Sequence, residues 1–331
     1  MKVLVTGATG FLGRAVVDAA LVAGHDVVAL VRPASDDLVG HPWNAERLHV
    51  VRGDLRQRGP WCDDVQDVDA VIHVAAATSG PLAAQFAGTV MATENLLDAV
   101  AGSALERFVH VSSFSVYDYS SVALGSAIDE RTQLETRPDL RDAYTTTKLL
   151  QERLVRDACE QAGHDLVVAR PGVIYGPGSD WDHGAALSVG PLAVVFSPRA
   201  TFRLVHVDNC AEALVRALSA DAASGRTVNL VDDDLPTHLD YFNRCRSAGL
   251  TRAYPVPVPW RLVELVGRAF DLIDRLVPGR RLKLPELVEL RRQRARWKPF
   301  TYPNDNAKRL LGWTPRVALS DALRDMRPAA P

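Results

Sequence analysis

Through the first half of the chain, short β-branched apolar runs alternate with longer stretches whose apolar residues recur every three or four positions. KVLVTG from Lys2, DVVALV from Asp26, LHVV from Leu48, AVIHVAA from Ala70, RFVHVSS from Arg107 and DLVVARP from Asp165 each predict a strand. Their apolar positions are largely consecutive rather than alternating, as in strands buried on both faces. Between them, FLGRAVVDAALVAG (Phe11–Gly24) and TVMATENLLDAVAG (Thr89–Gly102) carry helical periodicity and stop at glycine, a common helix terminator. This order predicts βαβ units and an α/β fold built on a doubly wound parallel sheet.

The pattern changes after Arg170. Proline and glycine cluster in RPGVIYGPGSD and again in YPVPVPW, marking loops. A chain of 331 residues exceeds the usual size of one domain. The expected division is a first domain over 1–170, with a return segment near 201–232, and a smaller carboxyl-terminal substrate-binding domain mainly over 171–331. From Trp260 to Val277, Arg261, Glu264, Arg268, Asp271 and Arg275 are spaced alternately by three and four. They make one solvated helical stripe with a broad apolar face opposite, read first as a core-packing helix. The alternatives are a substrate-pocket wall, a dimer seam, or a peripheral membrane contact flanked by the basic stretch Arg280–Lys298.

Charge and composition narrow the classes of function. Lys and Arg total 38 against 40 for Asp and Glu, a formal charge of -2, which disfavours nucleic acid as a partner. Cys62, Cys159, Cys210 and Cys245 are scattered without metal-ligand spacing, so neither a metal site nor disulfides are expected. No apolar stretch approaches the roughly 20 residues that span a bilayer. The expectation is a soluble, cytoplasmic protein acting on a small molecule.

Two short stretches carry chemistry. TGATGFLG follows the first strand and opens the first helix, with Gly7, Gly10 and Gly13 at three-residue spacing. Such glycines permit a tight turn, close approach of backbone amides to a pyrophosphate, and close helix–sheet packing. The helix amino terminus adds a partial positive charge. Where a dinucleotide fold usually has a carboxylate for the ribose, the second strand ends in Val31 and Arg32. A guanidinium forms charge-assisted bonds to a 2′-phosphate. NADP(H) is therefore preferred and NAD(H) possible, with Asp36 or Asp37 as the competing ribose acceptors.

The second stretch is AYTTTK, which puts Tyr144 and Lys148 four residues apart, on one face if helical. A free phenol titrates near pH 10, and an opposite charge close by moves a pKa by about 1–3 units. The pair could handle a proton near neutrality, or be an ordinary surface Tyr and Lys.

Together with FVHVSSFSVY, RPGVIYGPG, VHVDNCAEAL, GRTVNLV and AKRLLGWTPR, these motifs resemble over nearly the whole chain an extended short-chain dehydrogenase/reductase, the NAD-dependent epimerase/dehydratase family. The resemblance implies a Rossmann domain, an oxidoreductase and a homodimer. It implies Tyr144 as general acid/base, Lys148 as the group that lowers its pKa and holds the nicotinamide ribose, and Ser113, rather than Ser112, as the serine bonding the substrate oxygen. It further implies cofactor contacts from Gly7, Thr9, Gly10, Phe11, Leu12 and Gly13, from Arg32, from Asp54 and Leu55 at adenine, and from Ala75, Ala76 and Ala77. Pro171 and Val173 would run along the carboxamide. Two departures stand out: Thr89 occupies the place of a usual Asn, and Gly172 replaces the Asn that positions a nucleotide-sugar phosphate. The second favours the look of the 3β-hydroxysteroid dehydrogenase and dihydroflavonol reductase branches. The implied activity is NADP(H)-dependent interconversion of a ketone and a secondary alcohol. The alternatives are a nucleotide-sugar 4-epimerase or dehydratase with tightly held NAD, and a non-catalytic NADP sensor. His73 and His110 read as satisfied core histidines, and His183 as a surface or substrate-facing loop residue.

Overall fold

The structure, a computed structural model, describes residues 1–34, 46–180, 184, 186–276 and 289–326. The chain begins β1 (Lys2–Thr6), α1 (Phe11–Val22), β2 (Asp26–Val31), β3 (Leu48–Arg52), α2 (Trp61–Asp64), β4 (Ala70–His73), α3 (Leu82–Phe86), α4 (Ala92–Val100), β5 (Arg107–Val111), α5 (Ala143–Ala162) and β6 (Leu166–Pro171). It continues β7 (Val173–Tyr175), β8 (Ala186–Val189), β9 (Leu192–Phe196), β10 (Leu204–His206), α6 (Val207–Arg216), β11 (Thr227–Leu230), α7 (His238–Ser247), β12 (Tyr254–Val258), α8 (Trp260–Leu276), α9 (Leu290–Trp297), α10 (Asp305–Leu311) and α11 (Leu319–Asp325).

All six predicted strands enter one parallel sheet, ordered β11-β6-β5-β4-β1-β2-β3. The chain leaves β1 for β2 and β3 on one side, then crosses to β4 on the other, so the strand order reverses beside β1. In such sheets the crevice at the carboxyl ends of the two strands flanking the reversal receives the ligand. Alternate residues of each strand feed opposite layers. Val3, Val5, Val27 and Ala29 pack with α1, α6, α10 and Trp313, while Leu4, Val28, Val71 and Phe108 pack with α2, α4 and α5. Burial on both sides explains the consecutive apolar runs of the inner strands, whereas the edge strand β3 departs from that expectation, with His49 and Val50 exposed.

Two helices frame the crevice. α5 starts at Asp142, whose Oδ1 accepts from the Thr145 amide at 2.7 Å, and ends at Gly163, whose φ of 72° suits glycine. The helix expected from Thr89 is preceded by a wider π turn over Ala87–Met91 and becomes regular only at Ala92.

Outside the main sheet, β7 pairs with β10, and β9 lies between β8 and β12. α8 departs from the reading of a core-packing helix. It buries Trp260 and Val263 against Trp297, Phe196 and Val258, but Leu262, Leu265, Val266, Leu272, Ile273 and Leu276 are exposed, Leu265 by 64% and Leu276 by 69%. The apolar arc is broader than its contact, so only one edge meets the body of the protein. The basic surface expected beyond it is largely paired in its described part: Arg291 reaches Glu135, Arg292 reaches Glu289, and Arg294 reaches Glu264. Residues 280–288 of that stretch, His183, Asp36 and Asp37 lie outside the described residues. Among the described residues no helix is long and apolar enough to cross a membrane.

Candidate active site

A cavity of about 610 Å³ opens at the carboxyl ends of the sheet strands, beside the point where strand order reverses. Its floor begins with the turn after β1. Gly7 has a φ of 67°, and a Cβ there would stand 3.0 Å from the Ala75 backbone. A Cβ on Gly13 would come within 1.9 Å of the Gly7 carbonyl oxygen. Glycine is therefore required for this backbone, which presents the amino terminus of α1 to the cavity. That geometry fits the pyrophosphate of a dinucleotide.

Nearly every residue singled out from the sequence lines this one cavity. Gly7, Thr9, Gly10, Phe11, Leu12 and Gly13 do so, as do Arg32, Asp54, Leu55 and Ala75 to Ala77. Ser113, Tyr144, Lys148 and Pro171 complete the set. Val173 does not: it pairs with Leu204 in the β7–β10 ribbon, and Gly172 and Ile174 line the cavity instead. A Cβ at Gly172 would lie 2.3 Å from the Arg203 carbonyl, so the departure to glycine here follows from how tightly that ribbon closes.

At the end nearest β2, Val31 is buried in the core and Arg32 is exposed at the rim. Asp54 is engaged by Arg56, whose Nη2 stands 2.6 Å from Oδ2 and whose Nε lies 3.0 Å from both oxygens. These hydrogen bonds, with the charges of Arg56 and Arg32, hold the Asp54 pKa below its ordinary value despite partial burial.

At the other end, the two serines after β5 have separate fates. Ser112 donates to the buried Glu152 at 2.6 Å. Ser113 caps the turn Phe114–Val116, accepting from the Ser115 amide at 3.1 Å, and its side chain lies on the cavity wall with Tyr144. Lys148 is almost wholly buried, and its Nζ donates to the Val111 carbonyl and to Gln151 Oε1, both at 2.6 Å. This corrects the expected electrostatics of the pair. Burial raises the Tyr144 pKa, the Ser113 side chain opposes that, and Asp142 adds to it, so the phenol is protonated at neutral pH. The ammonium is committed to the interior rather than to the phenol. Burial pushes Lys148 itself down to about 7, with Glu152 opposing.

Under this end lies a polar layer that the motifs did not announce. His73 Nδ1 is 2.7 Å from Thr6 Oγ1, and its Nε2 is 2.8 Å from Thr93 Oγ1 and 3.1 Å from Gln151 Nε2. Burial, with the charge of Lys148, lowers its pKa to about 3, so it is a neutral, satisfied core histidine. His110 is equally buried, but neither ring nitrogen has a partner among the described residues. Thr89, standing in for the usual Asn, accepts from the Ala77 amide at 2.9 Å and so fixes the run beside the glycine turn. Only the helical register of Gln151 with Lys148 could have flagged any of this layer in advance.

Comparisons with known proteins agree with this geometry. Residues 3–230 match the model of the NAD dependent epimerase/dehydratase family. The chain is 29% identical over 346 residues to the 4-hydroxy-2-methyl-3-oxo-4-farnesyl-3,4-dihydroquinoline-1-oxide ketoreductase of Stigmatella aurantiaca, covering 100% of this chain and 97% of that protein. It is 30% identical over 244 residues to tetraketide alpha-pyrone reductase 2 of Arabidopsis thaliana, covering 68% of this chain and 76% of that one. The fold is shared with the UDP-glucuronic acid 4-epimerase of Bacillus cereus, solved with NAD, at a TM-score of 0.73 and 21% identity over 98% of this chain and 95% of that one.

Proposed function

The chain belongs to the NAD-dependent epimerase/dehydratase family and is an NAD(P)-dependent oxidoreductase of the extended short-chain type; on that premise we propose that it interconverts a ketone and a secondary alcohol with NADP(H). The observation that carries this reading is the convergence of Ser113, Tyr144 and Lys148 on one cavity wall beside the glycine turn, with the Ser113 side chain acting to lower the phenol's pKa. A protonated phenol suits donation of a proton to a ketone oxygen, so the reductive direction is favoured. Ser113 hydrogen-bonds the same oxygen and orients it. Lys148 supplies a fixed cation behind the phenol and a donor for a ribose hydroxyl.

The glycine turn and α1 would hold the pyrophosphate, and Ala75 to Ala77 the face of the dinucleotide. A bound nicotinamide supplies hydride transfer to or from the substrate carbon. Preference for NADP(H) is supported by Arg32 at the rim, by the absence of a carboxylate at Val31, and by the engagement of Asp54 with Arg56. An apolar substrate is supported by the ketone and pyrone reductases among the relatives and by the glycine at 172. A cytoplasmic homodimer belongs to the same proposal.

The test has two arms. Purified protein is denatured and the released nucleotide identified by mass spectrometry; NADPH or NADH consumption is then followed with apolar 3-oxo esters and cyclic ketones. The expected outcome is NADP(H) and turnover of an apolar ketone. Tightly held NAD with interconversion of a nucleotide sugar would overturn the reading in favour of a 4-epimerase. Bound NADP(H) that no ketone oxidises and no secondary alcohol reduces would favour a sensor.

A further inference from the structure

Gln151 lies one helical turn from Lys148 on α5, three residues on, where side chains share a face. Its Oε1 is 2.6 Å from Lys148 Nζ, and because an ammonium can only donate, the amide oxygen must face it. The amide nitrogen is held just as firmly. It lies 2.8 Å from Thr93 Oγ1, 3.1 Å from the Ala75 carbonyl and 3.1 Å from His73 Nε2. Those partners are anchored in turn, Thr93 on the Thr89 carbonyl at 2.6 Å and His73 on Thr6 at 2.7 Å. Gln151, Thr93, His73 and Thr6 all have zero exposure, so rotation of the carboxamide would leave buried groups unpaired. One side chain therefore ties the ammonium to the ends of β1 and β4, where the glycine turn and the Ala75–Ala77 run stand.

We infer that Gln151 is a positioning residue that holds the Lys148 ammonium as a fixed cation and leaves its third N–H for the cavity. The inference rests on the proposed reading of Lys148 as the partner of Tyr144 and of the nicotinamide ribose. The surrounding titratable groups leave this task to neutral oxygens. Glu152, the next residue of α5, is bound by Ser112, Arg156 and Arg170. Tyr144 on α5 is a neutral phenol, and His73 on β4 and His110 on β5 are both held neutral by burial. Among the described residues no carboxylate bonds Nζ; Glu152 acts on it only through its charge, and the Val111 carbonyl and the Gln151 amide oxygen supply its hydrogen bonds.

The experiment titrates NADPH binding by nicotinamide fluorescence from about pH 6 to about pH 10 in wild type, Gln151→Leu, Gln151→Glu and Lys148→Met. Wild-type affinity is expected to fall as Lys148 loses its proton. Gln151→Leu should move that midpoint down by about one to two pH units, since a hydrogen bond to a charged group is lost. Gln151→Glu should move it up, because a carboxylate favours the cation. Opposite shifts in the two variants are not what a merely structural role would produce. Folded variants that both titrate at the wild-type midpoint overturn the inference. If Gln151→Leu does not fold, Gln151→Glu decides alone: an upward shift supports the inference and an unchanged midpoint overturns it. A Lys148→Met protein with the wild-type pH dependence overturns the reading of Lys148 and the inference together. Loss of that dependence in Lys148→Met alone, with both Gln151 variants at the wild-type midpoint, overturns only the inference.

Discussion

Arg170 closes on Glu152 with two hydrogen bonds, Nη2 to Oε1 at 2.5 Å and Nε to Oε2 at 3.1 Å, joining β6 to α5 behind the serine pair. The same carboxylate receives Arg156 at 2.9 Å and Ser112 at 2.6 Å. Ser112 is thereby committed to the interior, which leaves Ser113 as the hydroxyl available to Tyr144 and a substrate.

Glu152→Gln tests that anchor. Burial disfavours the charged carboxyl, but hydrogen bonds from Arg170 and Ser112 and the charges of Arg170 and Arg156 outweigh it and hold the pKa at about 2 against an ordinary 4.5. Breaking a buried pair on one side costs about 3–5 kcal/mol. Urea denaturation at neutral pH should show a loss of that order. A carboxyl with a depressed folded pKa stabilises fully above its unfolded value and less as pH falls toward the folded one. Between pH 4.5 and about 2 the wild type should therefore lose this contribution and the variant should not. Equal acid sensitivity of the two proteins would contradict the assignment.

Lys148→Met is expected to give a pH signature of the same sign in a higher window. The lysine is depressed to about 7 from 10.5, so across that window the unfolded chain binds the extra proton and stability rises with pH. Below about 7 the full cost of burying the charge is present. Replacing Lys148 should remove the slope, so the variant compares best with wild type at low pH and worst at high pH. Thermal unfolding at several pH values checks this, and a wild-type slope in the variant would refute it.

Tyr144→Phe keeps the ring and removes the proton donor. Turnover of any ketone substrate should drop by about 10²–10⁴, the usual share of a general acid. NADPH affinity should stay close to the wild-type value, because the phenol serves the substrate oxygen rather than the dinucleotide. Unchanged kcat would remove Tyr144 from the chemistry.

Arg32→Ala addresses cofactor choice. Losing a charge-assisted bond to a 2′-phosphate should raise the KM for NADPH about tenfold to a hundredfold. The KM for NADH should stay where it was, since that nucleotide offers the guanidinium no phosphate. Steady-state kinetics with both cofactors decides, and parallel changes in the two would locate Arg32 elsewhere.

The sequence by itself determined the sheet, the glycine cradle and the identity of the hydroxyls and amine gathered at the cavity. DVVALV and β2 coincide over Asp26–Val31, and Gly7, Gly10 and Gly13 line the cavity as their spacing implied. These are local properties: apolar runs, backbone freedom and a four-residue step along a helix all lie within one short segment. Tertiary structure decided what each group touches. Gln151 meets His73 across 78 residues of chain, and Thr6 meets His73 across 67, because β4 lies beside β1 and under α5. The same holds for the Tyr144 phenol, raised rather than lowered because its environment is buried and Lys148 turns inward, and for α8, whose apolar arc exceeds the surface that covers it. Periodicity states which residues share a face, whereas burial and hydrogen-bond partners depend on which distant segment is packed against that face.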